Sequence, residues 1–343
     1  MTEKSVALVW INYNSMGFID VIQKSLESLY EINYPKYRIL ALDNCSNDGS
    51  NKIVKEYIGM IDKRNVIKFY RTSRNYGYSG GSLLGYLFAR DYEYFAVLNN
   101  DVIVESESLA KLIEYLENDK NIGAVQGLLR FPNGRVNCAG HLLDEFLVSY
   151  AIGLGEKHHP YFKRSYNVTY TCGAYSVYRV NALRGLKEVY FPEAFGYLDD
   201  DLIGLRMWNL GYKSKYFPVE AGTHYSGTTF MKYNTLADEC NVRNRLILRL
   251  ITENRFRKLA LPASAFRLFP TISNKKYFEN ISRALVHGIY YARERIRKGD
   301  RIEVDRVPLI KLKPLEVLVH TILPNRVSKK LVIERLKDKI PLG

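Results

Sequence analysis

The sequence predicts an α/β protein in which a Rossmann-like sheet is flanked by helices and followed by a basic, mainly helical C-terminal region. Short apolar runs alternate with stretches of helical periodicity over residues 5–104, which is the βαβ succession of a parallel sheet. Polar residues directly follow several of these runs, at the edge where open α/β sheets bind ligands. Residues 1–240 hold 26 Lys and Arg against 27 Asp and Glu, whereas residues 241–343 hold 24 against 9. The charge therefore divides the chain near residue 240.

The individual elements follow from the spacing of the apolar residues. Strands are expected at 5–11, 37–42, 66–70, 94–104 and 213–217, and helices at 18–30, 51–58, about 82–90, 106–118, 181–186 and 199–210. The run 168–178 is either a pair of strands or one strand kinked at Gly173. Residues 128–165 are expected to be irregular. Pro218 is expected to end the last strand, which leaves His224 in the loop beyond.

Three polar residues, Asn99, Asn100 and Asp101, interrupt the apolar run 94–104. Asn and Asp are common in turns, so a simple turn is one interpretation. The apolar run resumes at once after Asp101, however, and a carboxylate is costly to bury unless a cation or hydrogen bonds satisfy it. This pattern favours a metal or phosphate site.

Two further acidic groups stand where strands end or helices begin. Asp43 and Asn44 follow the second strand, and they either cap the next helix or contact a ligand. Asp199, Asp200 and Asp201 precede a helix whose N-terminus favours carboxylates. One cap needs only one acid, and three adjacent acids repel one another, so we expect at least one to serve a site.

The loop Asn75–Gly81 is rich in glycine but is not a P-loop, because it lacks the Gly-Lys-Ser/Thr ending. Its glycines would still allow the backbone to approach a ligand closely. His224 is either a structural histidine or a ligand that pairs with Asp101 across a cleft.

The four cysteines are scattered without a Cys-x-x-Cys pair, which predicts reduced thiols and no structural zinc. No stretch approaches 18 uncharged apolar residues, so no transmembrane helix is expected. The first residues lack the basic and apolar regions of a signal peptide. These features predict a cytoplasmic protein.

Taken together, these motifs resemble the family 2 glycosyltransferases from Ala7 to about Leu250. The matching blocks are Val9-Trp-Ile-Asn-Tyr-Asn14, Asp43-Asn-Cys-Ser-Asn-Asp-Gly-Ser50, Arg74-Asn-Tyr-Gly-Tyr-Ser-Gly-Gly81, Leu98-Asn-Asn-Asp101, Phe131-Pro-Asn-Gly-Arg135 with Gly140, Cys172-Gly-Ala174, Tyr197-Leu-Asp-Asp200 with Arg206 and Gly211-Tyr212, His224, and Arg243-Asn-Arg-Leu246. The branch it is most similar to is the rhamnosyltransferase type, in which Asn-Asn-Asp replaces the usual Asp-x-Asp.

The resemblance implies a GT-A fold with one continuous mixed sheet, in which a nucleotide-sugar-binding half (1–104) runs into an acceptor half (105–240). It also implies a hexosyltransferase that moves a sugar from a nucleoside diphosphate to a hydroxyl by single displacement, with inversion at the anomeric carbon. The acceptor would be a glycan or a lipid-linked glycan. Donor base, sugar and acceptor are not encoded in any readable motif.

Family position also suggests residue roles. Asp101 and His224 would hold Mn²⁺ or Mg²⁺ on the donor diphosphate. The general base falls on Asp200, while Asp199 and Asp201 remain alternatives because the family's next acid is replaced by Leu202. The residues expected to bind the nucleotide sugar are Asn12, Asn14, Asp43, Asn44, Asn75, Gly77, Gly80, Gly81, Asn99 and Asn100, with Asn12 and Asp43 at the base and ribose.

Two other classes of function deserve weight. A sugar nucleotidyltransferase also uses a nucleotide, a metal and a Rossmann-like sheet, but its first loop is glycine-rich and basic, unlike Asn12-Tyr-Asn-Ser-Met-Gly17. A non-enzymatic protein that binds nucleic acid through its basic tail would also suit the charge. The tail carries no recognisable nucleic-acid motif, so no nucleic-acid partner is expected.

The tail, 241–343, is expected to be helical. Ile281, Leu285, Ile289 and Ala292 recur at helical spacing, and several arginines lie near them. This pattern fits a helix on an anionic membrane surface, which would make the protein peripheral on the cytoplasmic membrane face. The alternative is a small helical cap on the α/β body with a solvated basic face.

Overall fold

The computed structural model describes residues 4–226, 234–266, 268, 273–323 and 325–336. The strands are β1 (Val6–Asn12), β2 (Tyr37–Asp43), β3 (Ile67–Arg71), β4 (Tyr94–Asn99), β5 (Val102–Val104), β6 (Ile122–Arg130), β7 (Val136–Cys138), β8 (His141–Asp144), β9 (Ser149–Ala151), β10 (Tyr166–Val168), β11 (Tyr175–Arg179), β12 (Lys213–His224), β13 (Thr252–Glu253), β14 (Ile302–Glu303) and β15 (Leu309–Ile310). The helices are α1 (Ile19–Tyr30), α2 (Ser50–Ile61), α3 (Gly77–Ala89), α4 (Ser108–Asn118), α5 (Val180–Arg184), α6 (Asp199–Asn209), α7 (Asn234–Ile251), α8 (Ala260–Phe266), α9 (Lys275–Arg297), α10 (Pro314–Ile322) and α11 (Asn325–Leu336).

The first half of the sheet is parallel, in the order β4-β1-β2-β3. All seven residues of β1 are buried, because alternate residues contribute to two cores. Leu8 and Trp10 pack with α1, α2 and α4, whereas Ala7 and Val9 pack with α3, α5 and α6. Helices on both faces explain why this strand is apolar without alternation, and the prediction of a covered α/β sheet is confirmed.

The second half of the sheet reverses direction. β11 is antiparallel to both β4 and β6, while β12 is parallel to β6, so the described sheet is mixed. The prediction of paired or continuous strands at 168–178 was wrong, because β10 pairs with β12 and β11 pairs with β4. The six residues between β10 and β11 leave the sheet.

Residues 128–165 were expected to be irregular, but they complete β6 and form β7, β8 and β9. The last three strands have only three or four residues, too few to show a period-two pattern. β8 also pairs with β15, a strand that lies more than 160 residues later in the chain. The sequence around β8 therefore does not reveal its partner.

The prediction that the last strand ends at Pro218 was also wrong. β12 continues through Pro218 to His224. Its register with β6 shifts between Tyr216 and Glu220, and an irregular position of this kind tolerates a residue without an N–H. His224 is thus the last residue of a strand and not a loop residue.

The C-terminal helices pack on the second half of the sheet. Ile310 and Val332 share one apolar cluster with Val136, and Ile247 and Ala292 share another with Leu202. The boundary predicted at residue 240 falls inside α7. The helical character expected of the tail is confirmed.

The apolar stripe of α9 was one reason to expect a membrane surface. Ile281, Leu285 and Ala292 are buried, and α9 packs along α7, so this stripe faces the protein. The arginines at 283, 293 and 297 are exposed on the other side. Within the described part of the chain, no helix is both long and apolar enough to cross a bilayer.

Candidate active site

The parallel strands end level with one another. Asn12 on β1 lies opposite Asp43 on β2, Asp43 lies opposite Arg71 on β3, and Ile11 lies opposite Asn99 on β4. The register therefore gathers the polar residues that follow each strand at one edge of the sheet, where α/β folds bind ligands.

Asp43 is fully buried and fully satisfied at this edge. Its Oδ1 accepts hydrogen bonds from Asn12 Nδ2 (3.0 Å) and Ser46 Oγ (2.6 Å), and its Oδ2 accepts the Ser46 N–H (3.0 Å). Arg71 Nε lies 3.3 Å from Oδ2. These partners fix the loop after β2, because a buried carboxylate with several donors is a stable anchor.

Asn44 fixes the turn that leads into α3. This helix begins at Gly77, so residues 77–81, which were expected to be a loop, are its first residues. Its Nδ2 donates to Asn75 Oδ1 (3.0 Å) and to the Gly77 carbonyl (2.9 Å), while its Oδ1 accepts the Tyr76 N–H (3.0 Å). Gly77 has φ +71°, and a Cβ there would lie 2.2 Å from the Phe195 carbonyl oxygen. Glycine is required at this point because another chain segment passes against it.

Asp101 and His224 meet because β5 pairs with β12, which sets His224 opposite Val102. Asp101 Oδ1 lies 3.2 Å from His224 Nε2, and both residues are buried. His224 Nδ1 lies 3.0 Å from Asn137 Oδ1, and a proton on Nδ1 would make this a hydrogen bond and leave Nε2 to face Asp101. A carboxylate oxygen and an imidazole nitrogen 3.2 Å apart can share a proton or hold a cation between them.

The three acids at the start of α6 have different surroundings. Asp201 is paired with Arg245, and Asp199 accepts a hydrogen bond from Ser79 Oγ (2.9 Å) while its Oδ1 has no partner among the described residues. Asp200 accepts the Gly173 N–H (2.8 Å) and is the least buried of the three.

The same surroundings explain the acidities of Asp199 and Asp200. Burial, with the charge of Asp200, raises the pKa of Asp199 to about 8. Burial also raises the pKa of Asp200 to about 6, although the Gly173 N–H partly opposes it. Asp200 is therefore ionised at neutral pH and still basic enough to accept a proton.

A cavity of about 490 Å³ opens between the two halves of the sheet. The predicted site residues that line it are Asn44, Asn75, Gly77, Asn99, Asn100, Asp101, Asp199, Asp200 and His224. Asp101 and His224 thus face the same space as the acids of α6. The structure brings together groups from three separate sequence motifs.

The other predicted residues lie behind the cavity wall. Asn12 and Asp43 are fully buried and bonded to each other, and Asn14 Oδ1 accepts the Asn47 N–H (2.9 Å). Gly81 allows α3 to pack against Ile11 and Leu42, while a Cβ on Gly80 would meet Tyr76. These five residues shape the site from outside, and a direct contact with the nucleotide stays a prediction.

Sequence reasoning missed several residues of the wall. Tyr13, Tyr78, Phe195 and Arg245 line the cavity, and Tyr78 Oη donates to the Gly173 carbonyl (2.8 Å). A signal existed for Tyr13, which lies between two residues singled out after β1. Phe195 has φ +64°, a strained value typical of functional sites, but such a value cannot be read from sequence.

Comparison with known proteins gives a consistent result. A family model described as Glycosyl transferase family 2 matches residues 8–186, just over half of the chain. An uncharacterized glycosyltransferase of Methanocaldococcus jannaschii is 29% identical over 147 residues, which cover 43% of this chain and 47% of that protein. A poly-beta-1,6-N-acetyl-D-glucosamine synthase of Staphylococcus epidermidis is 24% identical over 210 residues, covering 58% of this chain and 45% of that protein. The chain spans about half the length of these curated relatives.

Solved structures share the fold at low sequence identity. GalNAc-T7, crystallised with UDP, GalNAc and Mn²⁺, matches with a TM-score of 0.61 and 15% identity over 88% of this chain and 59% of its own. A mannosyltransferase of Pyrobaculum calidifontis, in complex with GDP-Man and Mn²⁺, matches with a TM-score of 0.53 and 14% identity over 87% and 80%. S. aureus TarS in complex with UDP-GlcNAc matches with a TM-score of 0.53 and 15% identity over 86% and 92%.

Proposed function

The chain belongs to glycosyl transferase family 2 and has the GT-A fold, and on that premise we propose that it transfers a hexose from a nucleoside-diphosphate sugar to a hydroxyl acceptor with inversion. The observation that carries this proposal is the shared cavity, which is lined both by the pair Asp101 and His224 and by Asp200. The leaving diphosphate needs its negative charge neutralised, and the attacking hydroxyl needs its proton removed. The cavity offers a group for each.

The donor would lie along the edge formed by Asn44, Asn75 and Gly77. Their amide and backbone groups can hydrogen-bond a base or ribose, and Tyr13 adds an aromatic surface. The similar structures contain UDP, GDP-Man or UDP-GlcNAc, so they support a nucleotide-sugar donor without selecting one base.

Asp101 and His224 would hold a divalent cation. Their carboxylate oxygen and imidazole nitrogen suit Mn²⁺, and Mg²⁺ is compatible with the carboxylate. Bound there, the ion would offset the negative charge that develops on the departing diphosphate. Asn137 would hold the imidazole in the required tautomer from behind.

Asp200 would act as the general base. It is the most accessible of the three acids, and its carboxylate is oriented by the Gly173 N–H. With an acceptor hydroxyl bound beside it, Asp200 would remove the proton as the new glycosidic bond forms. Asp201 is engaged by Arg245 and Asp199 is held by Ser79, so both have positioning roles in this proposal.

The first test is a thermal-shift screen of UDP-, dTDP- and GDP-sugars with Mn²⁺. A donor at about 100 times its dissociation constant should stabilise the native state by about 2.7 kcal/mol. The best donor is then tested for transfer and hydrolysis in the wild type and in Asp101→Asn. We expect the variant to lose transfer at least about 100-fold, the scale of losing one charge-stabilising group.

Asp91→Asn is the matched control for Asp101→Asn, because Asp91 is an exposed acid outside the cavity. It should keep full transfer. The assignment of Asp101 fails if Asp101→Asn retains wild-type turnover with Mn²⁺. The family function itself fails only if no nucleotide sugar stabilises the wild type.

We also propose that the tail docks on an anionic membrane where a lipid-linked acceptor lies. Leu315, Leu318 and Ile322 on α10 are 64%, 55% and 44% exposed and follow helical spacing on one side. Leu261 and Phe266 on the adjacent α8 are also exposed. The lysines at 311 and 313 precede α10, and each basic residue near anionic headgroups contributes about 1 kcal/mol.

Flotation of the full chain with anionic vesicles at low salt tests this docking. We expect the wild type to float and the double variant Leu315→Glu/Leu318→Glu to remain at the bottom. Val286→Glu, at another exposed apolar position on α9, should float normally. If the wild type does not float, or if the double variant and Val286→Glu lose flotation equally, α10 is excluded as the docking surface.

A further inference from the structure

A second group of ligand atoms lies beside the cavity. Cys138 at the end of β7, His141 at the start of β8 and Cys172 before β11 each place one ligand atom within 4.8 Å of the others. Cys172 lines the cavity, whereas Cys138 is buried behind it. Two sulfurs and an imidazole so close together form a ligand set typical of zinc.

The backbone between the first two ligands is built for this approach. Gly140 has φ +99°, and a Cβ there would lie 2.4 Å from Val168 Cγ1. Only glycine can make this turn, which folds Cys138 and His141 toward the same point. The Cys-x-x-His spacing is thus supported by a specific conformation.

Surrounding groups orient all three ligands. Cys138 Sγ accepts N–H bonds from Gly140 (3.3 Å) and from Gln126 Nε2 (3.7 Å), and Gln126 Oε1 accepts the Cys172 N–H (2.6 Å). His141 Nδ1 lies 3.1 Å from Ser149 Oγ, and its ring stacks on Tyr170. The N–H donors to the Cys138 sulfur favour its thiolate form, and a fixed imidazole is the usual companion of a bound metal.

We propose that Cys138, His141 and Cys172 bind a thiophilic divalent cation, Zn²⁺, with its fourth position directed to the cavity. Three protein ligands with one open position are the arrangement of zinc sites that also hold water or substrate. The soft sulfur ligands separate this site from the pair Asp101 and His224, whose oxygen ligand prefers a harder ion.

The ion would have a positioning role near the acceptor. It would tie the β7–β8 segment to Cys172, the neighbour of Gly173, and the Gly173 N–H orients Asp200. The proposal of this metal site rests on its three ligands and does not depend on which acid is the general base.

Cobalt substitution tests the site directly. The full chain is stripped with a chelator under reducing conditions and titrated with Co²⁺, and the thiolate-to-cobalt charge-transfer band is followed. We expect the band to saturate at one equivalent in the wild type, to disappear in Cys138→Ser and Cys172→Ser, and to persist in Cys240→Ser. Cys240 is the matched control because it is a buried cysteine elsewhere, on α7. The band should also persist in Asp101→Asn, since only sulfur ligands produce it.

A second measurement covers variants that fail to fold. Zn²⁺ should slow alkylation of Cys138 and Cys172 in the wild type, mapped by peptide mass spectrometry, while the labelling of Cys45 stays unchanged. Absence of the cobalt band and of protection would overturn the proposal. A Cys138–Cys172 disulfide in protein isolated without reductant, persisting when Zn²⁺ is supplied, would overturn it as well.

Discussion

Buried acids occur in two regions of this protein, at the carboxyl ends of β1 and β2 and at the start of α6, and their surroundings differ. Asp43 in the first region receives three hydrogen bonds and an arginine. Asp199 in the second is equally buried, but one of its oxygens has no partner among the described residues. A carboxylate with several donors stabilises its loop, whereas burial with an unpartnered oxygen raises the pKa of Asp199. Burial alone therefore does not determine the pKa of an acid in this protein.

The largest effect that we expect from this comparison is the loss of transfer activity in the variant Asp200→Asn. Loss of a general base typically costs about 10²–10⁴-fold in rate, and donor binding should remain because the proposed base would act on the acceptor and not on the donor. Wild-type transfer should rise with pH through the Asp200 pKa of about 6, since the ionised form is the active one. Normal turnover of this variant, or inactivity confined to Asp199→Asn or Asp201→Asn, would move the role to another acid.

The next effect concerns stability and Asp199. Its pKa is about 8 in the folded protein and about 3.8 when unfolded, so between these values the folded state binds the extra proton. The free energy of unfolding should therefore decrease as pH rises through this window, by up to about 1.4 kcal/mol per pH unit. Asp200, with a pKa of about 6, adds a slope of the same sign at lower pH, so the test is urea unfolding between pH 6 and pH 8, where Asp199→Asn should remove the slope. If the free energy of unfolding depends on pH equally in the variant and the wild type, the Asp199 carboxylate has hydrogen-bond partners in solution and its pKa is not raised.

The smallest effect that we expect is a loss of stability on substitution of Asp43, whose carboxylate has several hydrogen-bond partners. Asp43→Ala should lower the free energy of unfolding by about 1–3 kcal/mol, because buried donors on Asn12 and Ser46 lose their acceptor. Asp43→Asn keeps one acceptor oxygen and should lose less, which makes it the internal control. If Asp43→Ala instead kept full stability and lost donor affinity alone, Asp43 would be a ligand contact.

The difference between the parallel first half of the sheet and its mixed second half explains which contacts could be predicted from the sequence. The parallel half was predicted well because each polar residue directly follows an apolar strand, and parallel register then brings neighbours such as Asn12 and Asp43 together. In the second half, contacts depend on distant pairings. β12 passes Pro218 through an irregular register, and this brings His224 to Asp101.

Other features depend on three-dimensional proximity and leave little trace in sequence. The tail stripe at Ile281, Leu285 and Ala292 has the same spacing whether it faces a membrane or α7. Cys138 and Cys172 are far apart in the chain, so a search for Cys-x-x-Cys pairs does not find them. The spacing Cys138-x-x-His141 was the one local signal of that cluster.

The pairing of β8 with β15 has a consequence for biosynthesis. The Leu312 N–H donates to Glu145 Oε2, and these residues are 167 positions apart, so the contacts around β8 cannot be completed until residue 312 has left the ribosome. The parallel strands need only the first hundred residues and can assemble during translation, whereas contacts of such long range are closed slowly. A nascent chain could therefore pair β1, β2, β3 and β4 while β8 still lacks its partner β15.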